Sequence, residues 1–320
     1  MRVMARSVLI LAAFGLSGCI VNYFDFGSLF KVQPLQETKV SGKGRQKILL
    51  LDISGVINEE EGGGIAPKPN MVSRVKEELT KASADPNVRG VVLRINSPGG
   101  TVTASDIIYQ EVENFKKRTG RKVVASILDI GASGAYYISM AADRILANPT
   151  SVTGSIGVIM LHVNVQGLLE KIGVTTQAIK SGPHKDMGSP LKPLAPEDRE
   201  LLQGVIDDLY ARFLGVVQSG RPQLSPDQVR TLADGRVYTA DQALKAGLVD
   251  EIGYLEQGIE EAKKLAGLKD AEVIMYIRPD EAKGTIYAQA SALLNPPPLG
   301  VDLKRIFDLK SPKFMYLWMP

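Results

Sequence analysis

Continuous apolar runs alternate with helix-like segments through the middle of the chain. The runs Lys47–Val56, Val88–Ile95 and Val123–Leu128 contain too few polar residues for a strand with one solvated face. They therefore predict strands that are covered on both sides. Shorter apolar runs predict further strands at Arg144–Ala147, Ile156–Met160, Val174–Ile179 and Glu272–Ile277.

Segments with apolar residues three and four positions apart separate these runs and predict helices. The predicted helices are Met71–Ser83, Thr101–Lys117, Ala135–Asp143, Val165–Ile172, Pro196–Val217, Ser225–Leu232, Thr239–Ala246 and Leu255–Leu265. Strands that alternate with helices predict parallel βαβ units. The expected fold class is therefore α/β, with one core over residues 46–278.

The N-terminus predicts export. Arg2 and Arg6 precede the apolar run Val8–Leu16, which is too short for a membrane-spanning helix of roughly 20 residues. Leu16-Ser17-Gly18-Cys19 follows at once and resembles a bacterial lipobox, with Cys19 as the lipidated new N-terminus. We expect a lipoprotein-type signal over residues 1–19 and a lipid-anchored protein of the cell envelope, exposed outside the cytoplasm. The alternative is an ordinary cleaved signal with an incidental cysteine.

Two flanking segments lack a clear periodicity of hydrophobic residues. Residues 20–45 predict a tether, and residues 279–320 a C-terminal tail. The tail ends in the apolar aromatic run from Phe314 to Pro320, which is not expected to stay bare. It can pack on a neighbouring chain, occupy a groove or touch lipid; the alternative is plain disorder.

Composition excludes several classes of function. A net charge of +3 and a single Trp argue against nucleic-acid binding. Two His and one Cys leave too few ligands for a zinc or iron site, and no phosphate-binding or dinucleotide glycine fingerprint occurs. No metal or cofactor is predicted.

Two glycine-rich loops are the candidate functional sites. Ser133 lies in Gly131-Ala132-Ser133-Gly134-Ala135, where a predicted strand passes into a helix, and Ser97-Pro98-Gly99-Gly100 ends the preceding strand. A hydroxyl beside free helix N–H groups suits acyl transfer, which needs a nucleophile and oxyanion donors. Ligand sites of parallel sheets also form at such strand ends. The alternative is a pair of turns, one with a capping serine.

A nucleophilic serine needs a base, and the sequence offers two kinds. His162 and His184 are the histidines, and Asp143 gives a Ser–Asp–His order with His184. However, the Ser133 motif lacks the last glycine of the nucleophile elbow. Lys185 lies in a Gly/Pro/Ser loop after a predicted strand, and burial lowers the pKa of a lysine towards neutrality. The residues alone leave both options open.

Five motifs, in this order, resemble the short form of the signal peptide peptidase A family. They are Ser97-Pro98-Gly99-Gly100, Gly131-Ala132-Ser133-Gly134-Ala135-Tyr136-Tyr137, Thr153-Gly154-Ser155-Ile156-Gly157-Val158, Ser181-Gly182-Pro183-His184-Lys185-Asp186 and Gly235-Arg236-Val237-Tyr238-Thr239-Ala240-Asp241-Gln242-Ala243. The resemblance implies a ClpP/crotonase-like fold of repeated ββα units with a C-terminal helical region. It implies Ser133 as nucleophile, Lys185 as general base, the amides of Gly100 and Gly134 as oxyanion hole, and Ser155 as a hydrogen-bond partner of the lysine.

The resemblance also implies a function. The family degrades leftover signal peptides, so we expect a serine endopeptidase with a Ser–Lys dyad that acts on signal peptides or other apolar exported peptides. Short members form ring- or dome-shaped homo-oligomers and can draw the lysine from a neighbouring subunit. They usually carry a transmembrane anchor, which the lipobox-like signal replaces here. The alternatives are a catalytically silent scaffold and an acyl-CoA enzyme on the crotonase fold.

Overall fold

A mixed sheet organises the chain. The computed structural model describes residues 32–60, 69–279, 286 and 313–319. Its strands are β1 Gln36–Gly42, β2 Lys47–Ser54, β3 Val88–Ser97, β4 Gly99–Thr101, β5 Lys122–Ala132, β6 Arg144–Ala147, β7 Val152–Gly154, β8 Val237–Thr239, β9 Glu251–Ile252, β10 Glu272–Ile277 and β11 Met315–Leu317. The sheet order is β1-β10-β2-β3-β5-β6-β9, with β7 paired to β5 and β8 to β7. Within this sheet all pairs are parallel except β1 with β10 and β7 with β8, which confirms the α/β prediction.

Helices connect the strands and cover both faces of the sheet. They are α1 Met71–Ala84, α2 Val102–Thr119, α3 Gly134–Ser139, α4 Gln166–Lys171, α5 Pro196–Gly220, α6 Pro226–Leu232, α7 Ala240–Lys245 and α8 Leu255–Leu265. Side-chain caps fix several of the helix starts. The Ser225 and Thr239 side chains accept from the third residue of α6 and α7, completing capping boxes with Gln228 and Gln242.

The central strands are apolar on both faces because each face is buried against its own layer. Leu49 and Leu51 of β2 belong to the large core cluster, which includes residues of α1, α2, α3 and α5. Ile48 and Leu50 of the same strand belong to a second cluster that includes residues of α8. Successive residues of a strand point to opposite faces, so two separate cores require the unbroken apolar runs seen in the sequence.

The expected ββα unit recurs. β3 is followed by the short strand β4 and by α2. β2 is likewise followed by Ile57, which bridges Gly100 in parallel, and then by α1. This arrangement brings the ends of successive units together beside β4.

The structure corrects several predicted elements. Residues 156–160 and 174–179 are not strands, and the helix predicted over Ala135–Asp143 ends at Ser139. Ile179 is 101% exposed, because the segment around it finds no sheet face to cover.

The flanking segments also differ from the prediction. Residues 36–42 of the predicted tether form β1, an edge strand whose polar side chains alternate in the manner of a half-solvated strand. Residues 315–317 of the predicted tail form β11, which pairs antiparallel with β4.

Candidate active site

Ser133 occupies a strained turn between β5 and α3. Its φ of 54° and ψ of −116° lie in a backbone region that non-glycine residues rarely adopt, and its side chain is buried. The Ser133 N–H donates to the Gly154 carbonyl at 2.7 Å, and the Ser133 carbonyl accepts from Tyr137 N–H at 2.8 Å. The surrounding hydrogen bonds therefore hold a conformation that costs about 1–3 kcal/mol, a feature that clusters at functional sites.

Ser155 is strained in the same way and lies next to that turn. It and Ser133 are the two non-glycine residues with positive φ in the described part of the chain. Ser155 follows Gly154, whose carbonyl binds Ser133, and its own N–H donates to the Arg236 carbonyl at 2.8 Å. The structure brings the two serines to one edge of the sheet. It shows no hydrogen bond between Ser155 and Lys185, so that role stays a prediction.

The two proposed oxyanion donors are neighbours. A Cβ built on Gly134 would stand 3.2 Å from the Gly100 amide nitrogen and 2.3 Å from Ser105 Oγ. A Cβ built on Gly100 would stand 1.8 Å from the Ile57 carbonyl oxygen. Both positions therefore need glycine for space, and the absence of a Cβ lets the two amides approach each other.

The C-terminal strand β11 lies in the groove at this site. On one side it pairs with β4 in the register Tyr316 with Gly100 and Leu317 with Gly99. On the other side Met315 exchanges two backbone hydrogen bonds with Ile159, of 3.0 and 2.9 Å. Of the placements left open for the aromatic end, the structure selects a groove.

The register places one carbonyl of β11 beside the candidate oxyanion donors. Trp318 N–H donates to the Pro98 carbonyl at 2.9 Å, and Val102 N–H to the Phe314 carbonyl at 3.3 Å. Hydrogen-bonded pairs alternate along an antiparallel ladder, so the intervening Gly100–Tyr316 pair is also hydrogen-bonded, with Gly100 N–H facing the Tyr316 carbonyl. A Cβ on Gly134 would stand 3.1 Å from the same oxygen.

Lys185 makes no hydrogen bond to Ser133 or Ser155 among the described residues. Its side chain is exposed and makes no hydrogen bond or ion pair to another described residue. The two other lysines of its loop, Lys180 and Lys192, each lie 2.7 Å from Asp186 and lower the pKa of that carboxyl to about 2. In the single chain the Lys185 side chain is therefore exposed, as that of an ordinary surface lysine would be, and its role as general base stays a prediction.

The Ser–Asp–His alternative is not assembled. The Asp143 carboxylate accepts from Val123 N–H at 2.8 Å and pairs with Lys116 and Lys122. His184 Nδ1 instead lies 2.6 Å from Asp198 Oδ1. The aspartate and the histidine of the sequence-derived triad thus have other partners.

Sequence reasoning missed the aromatic pocket around Tyr316. The Tyr316 ring stacks on Tyr137, with centroids 5.1 Å apart, and tilts against Phe213 at 4.6 Å. Tyr137 Oη donates to Asp106 Oδ1 at 2.6 Å, and burial, together with this bond, raises the pKa of Tyr137. The available signal was the position of Tyr137 one helical turn after Ser133 and of Phe213 on the apolar face of α5.

Other predicted features give no further site. Cys19 lies outside the described residues. Within the described ranges, no cluster of His, Cys, Asp and Glu has the makings of a metal site, and no helix combines the length and apolar character needed to cross a membrane.

Comparisons with known proteins place this geometry in context. Residues 115–269 match the sequence model of peptidase family S49. The chain is 39% identical over 75% of its length to an Enterococcus faecium protein provisionally named signal peptide peptidase SppA, of which it covers 70%. It is 38% identical over 68% of its length to Protease 4 of Haemophilus influenzae, but covers 35% of that longer protein. Among solved structures, a ClpP1 variant of Listeria monocytogenes has a TM-score of 0.43 at 20% identity. The match covers 66% of this chain and 94% of the ClpP1 chain.

Proposed function

Because the chain belongs to peptidase family S49, we propose that it is a serine endopeptidase that cleaves extended peptides with Ser133 as nucleophile and Lys185 as general base. One observation carries the proposal. A peptide segment, β11, lies antiparallel on β4 with its Tyr316 carbonyl beside the amides of Gly100 and Gly134, next to Ser133. That is how a peptidase would hold a substrate carbonyl before attack.

The proposed chemistry follows from these groups. Ser133 Oγ attacks the peptide carbonyl carbon while its proton passes to neutral Lys185 Nζ. The resulting oxyanion accepts from Gly100 N–H and Gly134 N–H. Collapse breaks the C–N bond, and the leaving amine takes the proton from the lysine. Water then attacks the acyl-serine and gives a proton to Lys185, and the proton returns to Ser133 as the acid product leaves.

We infer that the Lys185 of each site comes from another copy of the chain, because its side chain is exposed in the single chain. We define the 159–195 segment by these residue numbers; it carries Lys185. Its exposed apolar side chains are Ile159, Leu161, Val163, Leu168, Ile172, Val174, Ile179 and Leu191. Such a concentration is typical of an interaction surface. We infer a closed homo-oligomer, a ring or dome, in which this segment packs on a neighbour and completes that neighbour's dyad.

The setting of the enzyme is part of the proposal. The lipobox-like signal supports a lipid anchor at Cys19 and a place in the cell envelope, outside the cytoplasm. A groove that pairs with backbone and buries an aromatic side chain suits unfolded, apolar peptides. Leftover signal peptides and other apolar exported peptides are therefore the proposed substrates.

Substitution of the dyad tests the proposal. Purified Ser133→Ala and Lys185→Ala chains are each expected to lose about 10³-fold or more of peptide hydrolysis, because members of such a unit fail together. Lys180→Ala is the matched control from the same loop and should retain activity. Full activity in either dyad variant would overturn the assignment.

Two other classes of function remain distinguishable by experiment. A silent scaffold would leave Ser133 unlabelled by a serine-reactive probe. An acyl-CoA enzyme would bind CoA thioesters, which a peptidase should ignore. Labelling that is lost in Ser133→Ala, without CoA binding, is the result expected here.

A further inference from the structure

The loop that carries Lys185 is fastened to helix α5 through one buried carboxylate, that of Asp198. Resting on the proposed function, we propose that Asp198 is a positioning residue for the general base. Through the side chains of His184 and Lys192 it fixes the main chain on both sides of Lys185 and thereby aims the lysine at the Ser133 that it serves.

Asp198 ties this arrangement to the core. It stands in the first turn of α5 and is 3% exposed. Leu202, one turn later, is buried, and Phe213 and Val217 of the same helix belong to the large core cluster. A buried carboxylate is costly without partners, and the two side-chain partners that the structure gives to Asp198 both come from the loop. The loop therefore cannot leave α5 without abandoning a buried charge.

The two partners of Asp198 lie on opposite sides of Lys185 in the sequence. His184 Nδ1 donates to Asp198 Oδ1 at 2.6 Å, because an ionised carboxylate can only accept. Lys192 Nζ donates to Asp198 Oδ2 at 3.3 Å and to Asp186 Oδ1 at 2.7 Å. His184 and Asp186 are the residues directly before and after Lys185. We define the loop clamp by His184, Asp186, Lys192 and Asp198; it holds the chain on both sides of the lysine.

The main chain within the clamp is turned. Lys185 N–H donates to the Gly182 carbonyl at 3.3 Å, and Met187 N–H donates to the His184 carbonyl at 3.0 Å. The hydrogen bond from His184, together with the Lys192 ammonium, lowers the pKa of the Asp198 carboxyl. The carboxylate is therefore ionised at neutral pH, where the proposed lysine base works, and the clamp is closed there.

The same pairings leave the general base free. Lys185 is the one ionisable side chain of residues 180–192 without a partner, and the structure describes that range in full. Asp186 binds the other two lysines of the range, each at 2.7 Å, and Asp198 binds the histidine. An ion pair with a carboxylate favours the charged form of a lysine, which cannot accept a proton. The pairings thus occupy the carboxylate beside Lys185 and leave its amine available.

Kinetics of a neutral variant test the role of Asp198. Asp198→Asn keeps the shape of the side chain and removes its charge. We expect kcat for peptide hydrolysis to fall about 10-fold to 100-fold, because a displacement of about 1 Å in a catalytic group has an effect of that size. KM should stay unchanged, because the substrate groove lies on other elements. Unchanged kcat, or a change in KM alone, would overturn the inference.

A second variant on the same helix is the matched control. Asp207→Asn is the same substitution in α5, and the Asp207 side chain is exposed and accepts from Gln203 Nε2 instead of from the loop. It should leave both kcat and KM unchanged. His184→Ala should lower kcat less than Asp198→Asn does, because Lys192 still binds Asp198 in that variant.

Mixed oligomers separate positioning from folding. Asp198→Asn is added either to Ser133→Ala chains, which supply the lysine, or to Lys185→Ala chains, which supply the serine. Each double variant is mixed with the other single variant, and native mass spectrometry establishes that mixed oligomers have formed. The hydrolysis regained should be about 10-fold to 100-fold lower only when the lysine-supplying chain carries Asp198→Asn. An equal loss in both mixtures, or a loss in neither, would overturn the positioning role.

Failure of the proposed function gives a different result. If the wild-type chain hydrolyses no peptide, the function itself is contradicted, and the inference falls with it. If the wild type is active but Ser133→Ala and Lys185→Ala chains do not complement each other, the dyad lies within one chain. The kcat of Asp198→Asn alone then decides whether Asp198 positions the lysine.

Discussion

The Ser133 edge of the sheet and the 159–195 segment are built in opposite ways. At the edge, β3, β4, β5 and α3 bury their side chains, and the glycines that line it have no room for a Cβ. In the 159–195 segment the regular structure is α4, and most of the large apolar residues are exposed. One half of the proposed dyad thus lies on buried core elements, and the other half on a segment that is largely exposed in the single chain.

Glycine-to-alanine changes give the largest expected difference between the two regions. Gly100→Ala would place a Cβ 1.8 Å from the Ile57 carbonyl and displace an oxyanion donor. We expect a loss of about 1–3 kcal/mol in the free energy of unfolding and of about 10²-fold or more in kcat. Gly182→Ala, with nothing within 4 Å of its Cβ, should change neither the free energy of unfolding nor kcat. Denaturant titration and peptide hydrolysis measure both quantities, and equal behaviour of the two variants would mean that the two regions do not differ in packing.

Exposed apolar residues of the 159–195 segment give the next largest expected effect. Ile179→Ser should leave the unfolding of the chain nearly unchanged but weaken self-association, because the side chain is exposed in the single chain and would be buried between chains in the proposed oligomer. Loss of one buried isoleucine predicts association weaker by about tenfold to a hundredfold per contact. Light scattering against concentration measures it. Leu244→Ser, on α7, is the control. If Ile179→Ser unfolds the chain without changing its association, the 159–195 segment is not the interface.

Relief of backbone strain gives the smallest expected effect. Glycine adopts the φ of 54° at position 133 without strain, whereas alanine does not. Ser133→Gly should therefore be more stable than Ser133→Ala by about 1 kcal/mol, after the greater chain entropy of glycine is subtracted. Both variants should be inactive, so thermal unfolding provides the readout. A less stable Ser133→Gly would mean that the turn stores no strain.

The Ser133 edge of the sheet and the 159–195 segment also differ in how well the sequence predicts them. The runs that became β2, β3, β5 and β10 were predictable because burial on both faces leaves an unbroken apolar pattern. The Ser133 turn and the Gly100 loop were predictable as turns because glycine and serine favour turns at strand ends, whereas their candidate chemistry rested on the order of the five motifs. Residues 174–179 were misassigned as a strand because their apolar pattern matches that of a buried strand. The segment pairs with no strand of the described chain.

The parts that sequence reasoning missed depend on contacts distant in the chain. β1 is polar, and it becomes a strand through pairing with β10, more than 200 residues away. The aromatic pocket around Tyr316 joins α3, α5 and the C-terminal strand, and no local pattern encodes that meeting. Lys185 was identified by a motif, but its exposure could not be read from the motif, because burial depends on what the 159–195 segment packs against.

The most direct test of the central claim is to mix two inactive chains. Ser133→Ala chains keep Lys185, and Lys185→Ala chains keep Ser133. In a closed symmetric oligomer with the dyad shared between neighbours, random mixing in equal amounts leaves an intact Ser133 at half of the sites and an intact Lys185 at half of the sites. Both are present at about a quarter of the sites, so about a quarter of the wild-type activity should return. Native mass spectrometry establishes that mixed oligomers have formed. Recovery of peptide hydrolysis in the mixture is the result predicted here; mixed oligomers without any activity would contradict a dyad completed between chains.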